Sequence, residues 1–115
     1  MTPDQTILVE RVRALIAEEP VVREVSMFGG RSVMVNEKMI VSALKGGRLL
    51  VRVDAGQHDE LLSRPGAVQA QMGPGRVMGP GWIEVAADAI SDDDHLASWI
   101  GIAMDYNLAV TGEHR

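Results

Sequence analysis

The chain has 115 residues, the usual size of one domain, and 46% of them are apolar, so it can bury one ordinary hydrophobic core. It contains no cysteine, which excludes disulfides, thiolate metal sites and cysteine nucleophiles. The formal net charge of −5 is unevenly divided, because residues 1–53 carry 8 basic and 6 acidic side chains whereas residues 54–115 carry 3 and 10. This balance disfavours nonspecific binding to nucleic acid.

The N-terminal segment predicts a helix from about Pro3 to Glu18. Thr2 offers the hydroxyl of an N-cap, Pro3 fits the first helical position, and Gln5 lies three residues after the cap. Pro20 ends the helix, and its apolar stripe is predicted at Leu8, Val12, Leu15 and Ile16. The segment lacks a basic stretch followed by an apolar one, and no run in the chain has membrane-spanning length. A cytoplasmic location without membrane contact is therefore expected.

Short runs of β-forming residues follow, separated by glycine, asparagine and lysine turns. They predict an antiparallel meander of three or four strands, with the runs at Val22–Phe28, Ser32–Val35, Met39–Leu44 and Leu49–Val53. The last run alternates with period two, which indicates a sheet with one covered face: Arg48, Leu50 and Arg52 lie on one side, Leu49, Val51 and Val53 on the other.

The second half of the chain predicts a short helix, further strands and a loop. The short helix is expected over Gly56–Arg64, one strand over Ala67–Met72 and the last strand over Trp82–Val85. Between the strands, two Gly-Pro-Gly elements at 73–75 and 79–81 predict that residues 76–78 form a loop.

The final helix is predicted to start near Ser91 or Asp92, because Ser91 followed by Asp94 resembles a capping box. Its apolar stripe is expected at Leu96, Trp99, Ile100, Ala103 and Met104. Trp99 is thus predicted to be a core residue, and Trp82 to lie at a strand start. The order of elements belongs to the two-layer α+β class, in which the N-terminal and C-terminal helices cover an antiparallel sheet. Edge strands and a methionine-rich surface also favour a homodimer.

Several motifs together resemble the N-terminal domain of the TfoX (Sxy) competence-regulator family. The first is Met27 to Gly30, and a later one is Gly-Trp-x-Glu-Val at residues 81–85. Between them, and in the closing helix, the matching residues are Asn36-Glu37-Lys38, Met39 to Leu44, Gly46-Gly47, Arg48-Leu49, Val53-Asp54 and Trp99.

The resemblance implies a fold of α-β-β-β-α-β-β-α order, similar to secretion-chaperone domains, with no catalytic residues. The expected organisation is one family-like domain over residues 1–107 and a C-terminal tail over residues 108–115. Full-length regulators of the family act with a transcription factor on DNA-uptake genes and carry a second domain. The competence role is therefore not transferred to this chain.

Patterns that suggest enzyme chemistry fail on their structural context. Gly29-Gly30 lies between strands without the following helix that a phosphate loop requires, and the acidic residues 92–94 suit helix capping better than a cation site. His58 and His114 are predicted in polar surroundings without a metal-ligand partner, and no serine sits in a glycine elbow. No catalytic, metal or cofactor-binding residue is predicted.

The residues that remain for function are basic side chains near the strand hairpins. Most such residues are simply the solvated side of a sheet, and the alternative is a surface for an anionic partner. That candidate surface comprises Arg31, Lys38, Lys45, Arg48 and Arg52. The sequence favours a protein-interaction or accessory regulatory domain, with a nucleic-acid-associated regulator, a small-ligand carrier or an enzyme as alternatives.

Overall fold

The structure is a computed structural model that describes residues 2–20, 22–27 and 29–112. Three α-helices, three short 3-10 helices and eight strands make up the regular structure of the described chain. The helices are α1 (Pro3–Leu15), α2 (His58–Leu61) and α3 (Asp93–Thr111). The strands are β1 (Val22–Met27), β2 (Gly30–Val35), β3 (Lys38–Leu44), β4 (Leu49–Arg52), β5 (Ala67–Gln69), β6 (Gln71–Gly73), β7 (Arg76–Val77) and β8 (Trp82–Val85).

Six strands form one sheet in the order β1-β2-β3-β4-β8-β5, and every neighbouring pair is antiparallel. Helix α1 packs against β2 and β3, and α3 packs against β3 and β4, on the same face of the sheet. This arrangement confirms the predicted α+β class with terminal helices on an antiparallel sheet. The family order implied three strands before the short helix, whereas the structure has four. Strands β1 and β5 form the two edges of the sheet. The homodimer that was expected partly from such edges stays a prediction.

The period-two pattern of β4 is confirmed on its helix-facing side. Leu49, Val51 and Val53 are fully buried in the main core, where Trp99 of α3 also lies with 2% of its surface exposed. The opposite face of the sheet is not fully exposed to solvent, because Leu50 is only 3% exposed there. It belongs to a second, smaller apolar cluster with Met34, Met39, Leu44 and Ala70.

A two-stranded hairpin covers part of that second face. The run predicted as one strand over Ala67–Met72 divides at the buried residue Ala70, whose N–H donates to Trp82 O and whose O accepts from Met78 N–H. The chain thus leaves β8 and pairs with itself as β6 and β7. The predicted loop over residues 76–78 was therefore wrong in part, since Arg76–Val77 is a strand.

The ends of the long helices follow capping chemistry. The predicted cap of α1 is confirmed: Thr2 Oγ1 accepts from Gln5 N–H, and the Gln5 side chain accepts from Thr2 N–H and donates to Ala43 O in β3. The helix ends at Leu15, three residues earlier than predicted, and Leu15 is exposed rather than part of the stripe.

Helix α3 is capped by Asp92, whose carboxylate accepts from His95 N–H at 3.0 Å. The predicted capping box of Ser91 and Asp94 was wrong, because the Ser91 hydroxyl donates to Asp88 O instead. The helix continues to Thr111 and ends at Gly112 in the left-handed conformation. The predicted boundary between residues 107 and 108 falls inside this helix. Within the described ranges, no helix combines the length and apolar composition needed to cross a bilayer.

Candidate functional site

The five basic residues predicted as one surface lie at two ends of the sheet. Arg31 is opposite Ala43 in the β2–β3 register, so it lies at the end of the sheet where Lys45 and Arg48 flank the turn between β3 and β4. Lys38 begins β3 at its other end, where Arg52 ends β4 opposite Trp82. The structure therefore divides the predicted surface into two groups, which are considered in turn.

Arg31 is already engaged by groups of its own chain. Its Nη1 donates to Ser26 Oγ at 3.2 Å, and its Nε lies 3.6 Å from a carboxylate oxygen of Glu24. Glu24 also receives two hydrogen bonds from Arg13 of α1. The guanidinium of Arg13 lowers the pKa of Glu24 below its ordinary value of 4.5, and the nearby Arg31 adds to the effect. This cluster ties α1 to strand β1.

Glu24→Gln is expected to reduce the free energy of unfolding by about 1 kcal/mol at neutral pH, because it removes the ion pair with Arg13. The loss is no larger because Arg13 is half exposed and solvent weakens the pair. A carboxyl whose folded-state pKa is lowered stabilises the fold above its unfolded pKa, and this contribution is lost as the pH falls through the folded pKa. The difference between wild type and variant should therefore shrink below about pH 4.5. Urea unfolding at several pH values measures it, with exposed Glu18→Gln as the control. A difference that persists at low pH would contradict this prediction.

The positive charge of Arg48 is neutralised by a carboxylate on the neighbouring strand β8. Its Nη1 donates to Glu84 of β8, and its Nε donates to Lys45 O. Strand pairing places Glu84 opposite Leu50, which fixes the carboxylate beside Arg48. Of the group at this end of the sheet, Lys45 is exposed, and its ammonium group has no hydrogen bond or ion pair to any part of the chain that the structure describes.

Arg52 occupies a more constrained position at the other end. Its guanidinium carbon lies 4.7 Å from the Trp82 ring centroid and 5.2 Å from that of Tyr106, distances at which cation–π attraction operates. Its Nη2 donates to the Tyr106 hydroxyl at 3.3 Å. Its Nη1 is buried next to Gly81 and has no hydrogen-bond partner among the described residues. The stacked rings hold this cation in one orientation.

An open groove of about 360 Å³ lies beside Arg52, between the β2–β3 turn and the C-terminal part of α3. We call it the methionine groove. Its apolar lining consists of Met27, Met34, Met39, Trp82, Tyr106 and Val110.

Charged groups at the methionine groove are predominantly basic. Lys38 is exposed, and its ammonium group has no hydrogen bond or ion pair within the described ranges. Glu37 also lines the groove, but its carboxylate accepts a 2.7 Å hydrogen bond from Arg23. Lys38 and Arg52 therefore contribute two positive charges to the groove. Among the described lining residues there is one carboxylate, that of Glu37, and it is already paired with Arg23. Such a site can bind an apolar group that carries a negative charge.

Sequence reasoning identified Lys38 and Arg52 but missed Tyr106 and Val110. Tyr106 follows Trp99 by seven residues, and Val110 follows Ala103 by seven, so the apolar stripe of α3 continues at helical spacing. That spacing could have revealed both residues. Buried Asn107 fixes this end of the helix, because its side chain donates to Val35 O at 2.9 Å and accepts from Asn36.

His58 has a structural position. It is 5% exposed, and polar groups contact both ring nitrogens: Nδ1 accepts from Gly81 N–H at 2.8 Å, and Nε2 lies 2.7 Å from Gln69 Oε1. An acceptor Nδ1 requires the neutral tautomer with its proton on Nε2. His114 lies outside the described residues. In the part of the chain that the structure describes, no group of three His, Asp or Glu side chains is placed to hold a metal ion.

The structure is a small two-layer α+β domain with an open groove between the end of the sheet and helix α3. Residues 14–106 match the TfoX N-terminal domain, and the chain belongs to that family of regulatory or accessory domains. The match confirms the resemblance predicted from the Met-Phe-Gly-Gly and Gly-Trp-x-Glu-Val motifs. A comparison with curated proteins found no match.

Proposed function

We propose that this chain is a non-catalytic regulatory domain that binds a protein partner in the methionine groove. The observation that carries the proposal is the combination of a methionine-lined floor with two cations, Lys38 and Arg52, at its side. Methionine side chains adapt to different apolar shapes and are common at protein-binding surfaces. A family of regulatory or accessory domains is the context in which such a surface is expected.

The groove suits a polypeptide better than a small metabolite. Sites for small molecules enclose about 70–90% of the ligand surface, which requires deep walls. Here Val110 is 44% exposed and Lys38 is exposed as well, so a bound molecule would remain open on one side. An extended or helical segment fits an open groove, because only one of its faces needs to be covered.

The geometry favours protein over nucleic acid as the partner. Nucleic-acid binding needs a series of cations that neutralise successive phosphates. The predicted basic surface is divided between two ends of the sheet, and at one end Arg31 and Arg48 are paired with Glu24 and Glu84. The net charge of −5 opposes a polyanion further. The interaction surface is therefore proposed at Lys38 and Arg52 rather than at all five basic residues.

Site-specific photocrosslinking in the source cells tests this function. A photoreactive amino acid at Val110 in the groove is expected to form a covalent adduct with another protein. The matched control is the same amino acid at Ile7 of α1, which is 56% exposed and is not a groove residue. An adduct at residue 110 that is missing at residue 7 supports the proposal. No protein adduct at residue 110, or the same adducts at both positions, would contradict it.

A further inference from the structure

We infer that the partner segment which occupies the methionine groove is acidic and apolar, with a carboxylate that contacts Lys38 and the Arg52–Tyr106 pair. This inference rests on the proposed function and specifies the chemistry of the partner. It is argued from the charge of the groove, from the rigidity of Arg52 and from the apolar floor.

Charge is the first argument. The whole chain has a net charge of −5, yet Lys38 and Arg52 line one groove and Arg23 compensates Glu37 beside them. A local positive site on an acidic protein selects partners by electrostatic complementarity.

The geometry of Arg52 is the second argument. A carboxylate is bound more favourably by a cation that is already oriented, because less side-chain freedom is lost on binding. The rings of Trp82 and Tyr106 both contact the guanidinium, and Gly81 lies against Nη1. Among the described residues Nη2 donates one hydrogen bond, to the Tyr106 hydroxyl, which leaves its second hydrogen for a ligand.

The floor of the groove supplies the apolar half of the recognition. Met34 and Met39 are 8% and 9% exposed, and Met27 and Val110 are more open to solvent. An apolar side chain placed on them would cover the exposed parts of Met27 and Val110. A segment with acidic residues next to Leu, Ile, Met or Phe would thus match both the floor and the cations.

Selection from a displayed library of random short peptides tests the inference without a known partner. Peptides selected on the wild-type chain are expected to be enriched in Asp and Glu next to large apolar residues. Their affinity should fall about tenfold or more in Lys38→Glu, and it should fall as salt rises from about 50 to 500 mM. Lys45→Glu is the matched control, since Lys45 is also an exposed lysine, directly after the opposite end of β3, and its change should leave the affinity unaltered.

A second variant separates this inference from the proposed function. Val110→Trp places a bulky, uncharged side chain at the groove, so it should weaken every groove-binding peptide whatever its charge. Peptides weakened by Val110→Trp but without acidic enrichment would overturn the inference and leave the proposed function standing. Peptides that all resist Val110→Trp would overturn both. A labelled DNA duplex that binds the wild type but not Lys38→Glu would assign the groove to nucleic acid and overturn the inference.

Discussion

Trp99→Ala is expected to lower the free energy of unfolding by about 3–5 kcal/mol, as large truncations in a close-packed core do. Trp99 is 2% exposed within the main core, and the Arg64 guanidinium lies 5.3 Å from its ring centroid. Removing the indole leaves a cavity between α3 and the sheet that the surrounding side chains fill only in part. The loss would therefore remove a large share of the stability of a domain this size.

Urea denaturation followed by far-ultraviolet circular dichroism measures this loss. The control is Leu108→Ala on the same helix, because Leu108 is 37% exposed and its truncation should cost less than about 1 kcal/mol. If Trp99→Ala cost no more than Leu108→Ala, the indole would not be a core group and the packing of α3 on the sheet would be wrong.

Gly81→Ala is expected to cost about 2–4 kcal/mol through backbone strain and overpacking together. Gly81 has a φ of +92°, and a β-carbon there would lie 2.8 Å from Val53 O and closer still to Arg52 Nη1. Val53 is tied to residue 81, because its N–H donates a hydrogen bond to Gly81 O. The Val53 carbonyl therefore cannot move freely away from an added β-carbon. Arg52 would therefore have to leave its position against the rings of Trp82 and Tyr106.

Gly79→Ala is the matched control, since Gly79 has a φ of +96° and no atom within 4 Å of its added β-carbon. It should show the backbone cost alone, about 1 kcal/mol. The difference between the variants then measures the steric contact with Arg52 and Val53. Chemical shifts of the Trp82 indole and the Tyr106 ring should change in Gly81→Ala and stay constant in Gly79→Ala. Equal costs and equal spectra would contradict the described packing of Arg52 on Gly81.

Local patterns determined much of the fold because they act over a few residues. The cap at Thr2 and Gln5 needs only its own first helical turn. Strand β8 was predicted at its observed bounds, and alternation along β4 placed Leu49 and Val51 in the core, since side chains of a strand point alternately to its two faces. The class of fold, the family and the burial of Trp99 followed from such signals.

Only the tertiary structure decided which cation remains available to a partner. Arg48 and Arg52 are equivalent in the sequence pattern, but the β4–β8 pairing gives Arg48 a carboxylate in Glu84. The same pairing gives Arg52 the ring of Trp82, and α3 adds Tyr106 from 54 residues away. The methionine groove arises in the same way, from strands and a helix that are distant in sequence. Contacts between distant segments leave no local periodicity, so the sequence by itself predicted the cations of the site but not the apolar groove beside them.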